Sequence, residues 1–237
     1  MITLLNIDCL EFLSGLPDKA FELGVIDAPY GIGAPDMTMG SNPSRSRMDG
    51  YGSGPAESTV KRLKRNRLNS GGGHMKNSVL VNSDVNWDIV PDERYFEELF
   101  RVTVNQIIWG GNYFDLGPTR CIICWDKKQP WDNFSKWEMA WTSFDRPANL
   151  FSFSNTGGHN HEKKIHPTQK PIALYRWLLH NYAKPGDRIL DTHLGSGSSA
   201  IAAHQMGFDF TGTEIDKQYY DAAVKRFNEA IKQQTLF

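Results

Sequence analysis

The sequence is short of cysteine, of long apolar runs and of net charge, and each shortage excludes something. Three cysteines in 237 residues cannot make a disulfide framework. Cys121 and Cys124 form a CxxC, but "TRCIICWDK" reads as a strand, on which residues three apart face opposite sides. No second pair completes a zinc site, so core packing is expected. No apolar stretch approaches a membrane span, and "MITLLNIDCLEFL" has neither a basic leader nor a small-residue cleavage site. A cytoplasmic protein with no membrane partner is expected. The formal net charge of −1 gives no global attraction to nucleic acid, so any such attraction must be local. No internal repeat is visible. With 40% hydrophobic residues the chain can bury a substantial core, and residues 1–237 read as a single domain.

Strand-like "ITLLNID", "FELGVID", "QIIWGG", "RILD" and "DFTGTEID" alternate with helical segments. The helices are "CLEFLSGLPDKA", closed by Pro17, "PDERYFEELFRVT", "PTQKPIALYRWLLHNYAKPG", "SSAIAAHQMG" and a last one from about Gln218 to Gln233. This alternation predicts an α/β fold with a mostly parallel sheet and helices on both faces. The β-rich runs "RCIICWDK", "KWEMAWTSF" and "ANLFSF" are expected to add an antiparallel hairpin. Residues 33–86 change character: rich in Gly, Ser, Pro and Asn, they read as an irregular basic insertion with no core of its own.

Two strand ends carry chemistry. In "VIDAPYGIG" (25–33), Val25 and Ile26 suit a buried strand, while Pro29 cannot extend it and Gly31 and Gly33 permit a sharp turn. Asp27 and Tyr30 are thus held where a parallel sheet ends, which is where open α/β folds place ligands. A helix cap and a rim aromatic would be the bland alternative. In "ILDTHLGSGSSAIAAHQMGFDFTGTEID" a strand ends at Asp191, Gly195 and Gly197 form a tight loop before a helix, and the next strand ends at Glu214. Gly195-x-Gly197-x-x-Ala200 fits the dinucleotide fingerprint, and Glu214 lies nineteen positions after Gly195, close to the offset of a ribose-binding acid. A nucleoside-containing cofactor is expected. Asp191 stands before the glycines, where its carboxylate can face a cationic methionyl amine but would repel a pyrophosphate. That favours S-adenosylmethionine over NAD.

These motifs carry a resemblance. "DAPY" resembles the Asp-Pro-Pro-Tyr motif of amino-group DNA methyltransferases, "DTHLGSGSS" their Asp-Pro-Phe-x-Gly-Ser-Gly-Thr cofactor loop, and "HPTQKP" the segment that leads into the preceding helix. With the catalytic motif ahead of the cofactor motif, the order is that of the β class. The match covers about residues 1–32 and 165–230, and "IIWGGNYF" and "CWDKKQPWDNF" are similar to phage and prophage members. The resemblance implies a Rossmann-like S-adenosylmethionine-dependent methyltransferase fold with permuted motif order. It implies methyl transfer to a flipped base, with Asp27, Ala28, Pro29 and Tyr30 as the catalytic tetrapeptide. An exocyclic amine is a poor nucleophile because its lone pair is delocalised. Asp27 and the carbonyl of Ala28 can accept its two protons, and Tyr30 offers a stacking face. For the cofactor, it assigns Asp191, Gly195 and Gly197 to the methionyl part and Glu214 to the ribose. Asp8 and Cys9 fall near the adenine, Thr168 and Lys170 complete the methionine pocket, and His193 and Ser198 lie in the loop. An acid such as Asp8 is equally a helix cap. Ala28 replaces the usual proline but keeps the carbonyl. Thr192 and His193 replace the usual proline and phenylalanine, which puts cofactor affinity in question more than fold. For His193, shape is favoured over a titrating role.

The opening aspartate favours adenine N6, since cytosine-N4 members more often open with serine; cytosine N4 is the alternative. A nicotinamide oxidoreductase, or a DNA-binding module that has lost the chemistry, are the other readings. Double-stranded DNA is the expected partner. Residues 42–78 hold Arg45, Arg47, Lys61, Arg62, Lys64, Arg65, Arg67 and Lys76 against Asp49 and Glu57, a density suited to phosphate. "WDKKQPWDNFSKWEMAW" is a second surface, in which Trp125, Trp137 and Trp141 are expected in the core and Trp131 freer to touch DNA. His159, His161 and His166 match no metal-site spacing, and no metal is expected. A homodimer and a companion restriction enzyme are raised by the family alone, and the recognition sequence is not legible.

Overall fold

The computed structural model describes residues 1–33, 87–129, 135–154, 162 and 164–234. The basic insertion from 34 onward, Trp131, His159 and His161 lie outside the described residues. In chain order the elements are β1 (Ile2–Asn6), α1 (Cys9–Ser14), β2 (Phe21–Ile26), α2 (Glu93–Val102), β3 (Thr103–Trp109), β4 (Ile123–Asp126), β5 (Trp137–Thr142), β6 (Asn149–Ser152), α3 (Ile172–Tyr182), β7 (Arg188–Asp191), α4 (Ser198–Gln205), β8 (Asp209–Glu214) and α5 (Lys217–Gln234). Local chemistry sets several boundaries. Asp8 caps α1, accepting from Leu10 N and Glu11 N, and Gly15, not Pro17, closes it. Asp92 caps α2 through Tyr95 N. Pro171 begins α3 as its cap, so Lys170 stands in the loop ahead of that helix rather than within it.

The strands form one sheet in the order β1-β8-β7-β2-β3-β5-β4-β6. β5 alone runs against the others, pairing antiparallel with β3 (Ile108↔Trp141) and with β4 (Trp125↔Glu138); β4 and β5 are the expected hairpin. Its reversed polarity has a consequence for the site. The first residues of β5, Trp137 and Glu138, lie at the edge where every other strand ends.

Helices cover both faces. On one, Val25, Ile107, Trp109, Ile123 and Trp125 pack with Leu174 and Leu178 of α3, Ile201 of α4 and Phe227 of α5. On the other, Ile26, Ile108 and Leu190 pack with Leu13 of α1 and with Tyr95 and Leu99 of α2. Neighbours such as Val25 and Ile26 divide between the faces as strand alternation requires. Burial of both faces explains the continuous apolar runs of β2 and β3. Trp125 is buried and Trp141 half-buried, its Nε1 donating to Gly117 O. Trp137 corrects the expectation of three core tryptophans, for it is 54% exposed on the sheet's edge opposite Asp126. Cys121 is buried with its Sγ 3.8 Å from Tyr182 Oη, while Cys124 is half-buried.

Candidate active site

β2 sits beside β7, in the register Leu23↔Ile189 and Gly24↔Leu190. From β2 the chain moves to β3 on one side, and from β7 to β8 on the other. The winding therefore reverses between β2 and β7, and the crevice beyond their carboxyl ends is the expected ligand site of such a sheet. Asp27 follows β2, Asp191 ends β7 and Glu214 ends β8. Both motifs legible in the sequence thus reach one crevice.

On the β2 side, Tyr30 Oη donates to Asp27 Oδ1 at 2.8 Å, and Lys170 Nζ lies 2.5 Å from the same oxygen. Lys170 also reaches Tyr30 Oη (3.3 Å) and Glu138 Oε2 (3.1 Å), and Lys127 pairs with Glu138 Oε1. Burial pushes the Tyr30 phenol well up, helped by the Asp27 charge, so it remains a donor. Its ring stacks on Tyr113 with centroids 5.0 Å apart and 15° between planes. Gly110, at φ +70°, lies against the ring, and a Cβ there would fall 2.2 Å from Tyr30 Cε1. The glycine after β3 is thus needed both for its backbone and for Tyr30.

On the β7 side, Gly195 and Gly197 take φ of +51° and +74°, the left-handed region that favours glycine. Asp191 accepts from His193 N (3.0 Å) and from Ser199 Oγ (2.5 Å). Burial pushes its carboxyl up to about 7, against those two hydrogen bonds. Glu214 accepts from Gly195 N (2.8 Å) and Asp216 N (3.0 Å), and burial raises it too. Among the described residues neither acid has a Lys or Arg within ion-pair distance. A buried acid and a half-buried one, neither with a counter-cation among the described residues, suit a ligand that brings positive charge and hydroxyl donors, and resist one that brings phosphate. Asn6 Nδ2 donates to the carbonyls of Glu214 and Ile215, which ties the end of β1, and hence Asp8 and Cys9, to the same edge. Asp8 Oδ1 is occupied as the α1 cap. Burial pushes the Cys9 thiol up to about 12, so it stays protonated.

The departures in the cofactor loop compensate one another. Thr192 Oγ1 lies 2.5 Å from Tyr95 Oη and 3.0 Å from His193 Nδ1, a closed chain if Tyr95 donates to Thr192 and Thr192 to His193. Burial brings His193 down to about 4, so it is neutral near pH 7 and serves by shape and hydrogen bonding. Thr168 Oγ1 meets His166 Nδ1 at 3.1 Å, and the buried His166 ring packs on Trp87 and Tyr219. Ser198 Oγ accepts from Arg226 Nη1 (2.9 Å), which also donates to Ser196 O (2.8 Å), while Nη2 reaches Glu162 (2.7 Å). Lys170, which the resemblance assigns to the methionine pocket, has its ammonium on Asp27 Oδ1 in the same crevice.

Sequence reasoning missed Glu138, Lys127, Gly110, Tyr95 and Arg226. A single acid inside the aromatic run "KWEMAW" was the only signal for Glu138. Arg45, Arg47, Lys61, Arg62, Lys64, Arg65, Arg67 and Lys76, expected from the sequence to contact DNA, lie outside the described residues.

A mostly parallel sheet, a glycine loop after one strand and an acid at the tip of the next give a Rossmann-like nucleoside-binding fold, and similar solved folds are those of DNA methyltransferases. The family model described as DNA methylase, that of the N6/N4 amino-methylases, matches residues 93–225, more than half of the chain. The chain belongs to this N6/N4 DNA methylase family. It is 26% identical over 248 aligned positions to the Type II methyltransferase M.BglII of Bacillus subtilis, covering 92% of this chain and 66% of that protein. It is 34% identical over 82 residues to the Type II methyltransferase M.HpaI of Haemophilus parainfluenzae, covering 35% of this chain and 26% of that one. The chain therefore spans just under two thirds of one relative's length and about a quarter of the other's. Similar solved folds include the putative DNA modification methylase TTHA0409 of Thermus thermophilus, complexed with S-adenosyl-L-methionine (TM-score 0.56, 15% identity, 98% and 95% coverage). Another is the PvuII DNA methyltransferase, cytosine-N4-specific (TM-score 0.54, 12% identity, 98% and 92% coverage).

Proposed function

We propose that this protein is a DNA methyltransferase that uses S-adenosylmethionine to methylate N6 of adenine in a flipped-out base. The observation that carries the reading is the pairing of two unlike acid sites across one crevice. Asp27 is hydrogen-bonded beside a tyrosine, while the buried Asp191 and half-buried Glu214 have no counter-cation among the described residues and lie next to a glycine loop. The chemistry of the second site fits the cofactor: Asp191 would meet the methionyl ammonium, Glu214 the ribose hydroxyls, and Gly195 and Gly197 the close approach of the ligand. When bound, the sulfonium supplies an activated methyl group and a neutral thioether leaving group, so no metal is required of the transfer.

The chain's own residues supply positioning and electrostatics. Asp27 accepts one proton of the exocyclic amine, and the main-chain carbonyl of Ala28 the other, so the nitrogen can pyramidalise toward the methyl group. Pro29 holds the turn that carries both. Tyr30 stacks on the base, which takes the place on its ring that Tyr113 now covers. Holding amine and methyl donor in line supplies much of the remaining acceleration. Adenine is favoured by the aspartate that opens the tetrapeptide. The basic insertion is proposed to contact DNA phosphates, and replacing Lys61, Arg62, Lys64 and Arg65 by alanine should flatten the salt dependence of DNA binding by about four phosphate contacts.

Binding and transfer test this together. Calorimetry should show S-adenosylmethionine bound and NADH not, and labelled methyl groups should pass to unmethylated duplex DNA. NADH binding without S-adenosylmethionine binding would give the site to nicotinamide chemistry, and DNA binding without cofactor binding would leave a binding module.

A further inference from the structure

The Asp27 carboxylate is held unevenly. Its Oδ1 takes both the Lys170 ammonium (2.5 Å) and the Tyr30 hydroxyl (2.8 Å), whereas Oδ2 has no hydrogen-bond partner among the described residues. The side chain of Lys170 is 3% exposed and that of Asp27 is 16% exposed, so the ammonium is sealed in while the acid keeps an open side. Lys170 does not belong to Asp27 alone. Glu138 Oε2 lies 3.1 Å from its Nζ, and Glu138 Oε1 pairs with Lys127. Burial would lower the Lys170 ammonium, but the Asp27 and Glu138 carboxylates hold it above its ordinary value, so it is charged. Lys127 and Lys170 beneath Glu138 likewise bring that acid down to about 2 against the effect of burial. Two carboxylates and two ammonium groups thus alternate along one largely buried line, from the β4–β5 hairpin to the end of β2.

We propose that Glu138, acting through Lys170, is a positioning residue for the substrate acceptor: the pair pins Asp27 Oδ1 and keeps Oδ2 as the oxygen that receives the amine proton. The proposal rests on the reading of Asp27 as that acceptor. Sharing the ammonium between two carboxylates also matters electrostatically. With Glu138 gone, the full attraction of Lys170 falls on Asp27, which then becomes a poorer acceptor for the substrate. A buried ionic line of this kind is better explained by geometry than by stability, since desolvation offsets much of its attraction. The antiparallel β5 provides the means, because only a reversed strand brings its second residue to this edge.

E138Q, K170M and K170R in the full chain test the role. Three readouts are needed: S-adenosylmethionine affinity by calorimetry, kcat and KM for DNA, and the 15N signal of the Lys170 ammonium. E138Q preserves shape and should lower kcat by about 10- to 100-fold, with cofactor affinity and DNA KM nearly unchanged. K170R should recover part of the kcat that K170M loses. The Lys170 signal should move in both D27N and E138Q. Unchanged kcat in E138Q overturns the proposal. So does a K170M variant whose defect is lost cofactor affinity with kcat intact, which would return Lys170 to the methionine pocket. A wild type that methylates no DNA overturns the methyltransferase reading itself. An ammonium signal indifferent to D27N or E138Q overturns the positioning role whatever the activity.

Discussion

In the proposed site, the buried Asp191 would tie stability, cofactor affinity and pH together. Its folded-state pKa, pushed up to about 7 by burial, exceeds the ordinary carboxylate value near 3.9. The native state therefore holds this proton more tightly than the unfolded chain does. The resulting stability is fully present below about pH 4 and is lost as pH rises through about 7. Cofactor affinity should move the other way, because the ionised acid is the form that attracts an ammonium. Calorimetry from pH 6 to 8 should show S-adenosylmethionine binding tighten as pH rises, and D191N should bind weakly with little pH dependence in that window. A wild-type affinity flat across the window would remove Asp191 from the ammonium site. At Gly110 the constraint is steric. G110A places a Cβ at a positive φ and 2.2 Å from the Tyr30 ring, so it should cost about 1 kcal/mol or more of stability. It should also lower kcat through a displaced ring. Thermal melting together with a kcat measurement checks both, and an active, fully stable G110A would contradict the packing described.

At the scale of elements, most of the site was legible because parallel strands leave strong local marks. β2, β7 and β8 each read as an apolar run ending in an acid, and the glycines after Asp191 occupy the left-handed region that their spacing implied. The elements that escaped notice were those whose meaning depends on polarity and register. The hairpin was expected, but nothing local in "KWEMAW" says which of its strands opposes the sheet or in what register, so nothing told Glu138 from a solvated acid or Trp137 from a core aromatic. Lys170 was found by resemblance, but its ammonium's place on Asp27 arises from the loop entering α3 at Pro171. Tyr95 and Thr192 are ninety-seven residues apart, and only the packing of α2 under β7 brings them together. Tyr95 should therefore matter to the cofactor loop. Y95F removes one link of the Thr192–His193 chain, and it should weaken cofactor binding with a loss of about 1 kcal/mol in stability, measured by calorimetry and melting. Y95F that binds and melts like the wild type would show that Thr192 and His193 need no such support.

For the whole molecule, the sheet is a device for bringing distant segments to one edge. The proposed catalytic tetrapeptide lies near one end of the sequence and the proposed cofactor loop near the other, with an insertion and an antiparallel hairpin between them. Only the adjacency of β2 and β7 makes them neighbours. The direction of chain winding, and so the crevice, follows from the strand order, which periodicity alone does not supply. The reading that both motifs serve one methyl transfer is tested most directly by nucleoside mass spectrometry. Unmethylated DNA is incubated with S-adenosylmethionine and either wild type or D27A, digested, and analysed for modified nucleosides. The account predicts N6-methyladenine from wild type and at least a roughly hundredfold smaller amount from D27A, with cofactor affinity retained. N4-methylcytosine from wild type alone would keep the mechanism and change the base. No methylated nucleoside from wild type, or equal amounts from both proteins, would contradict the account.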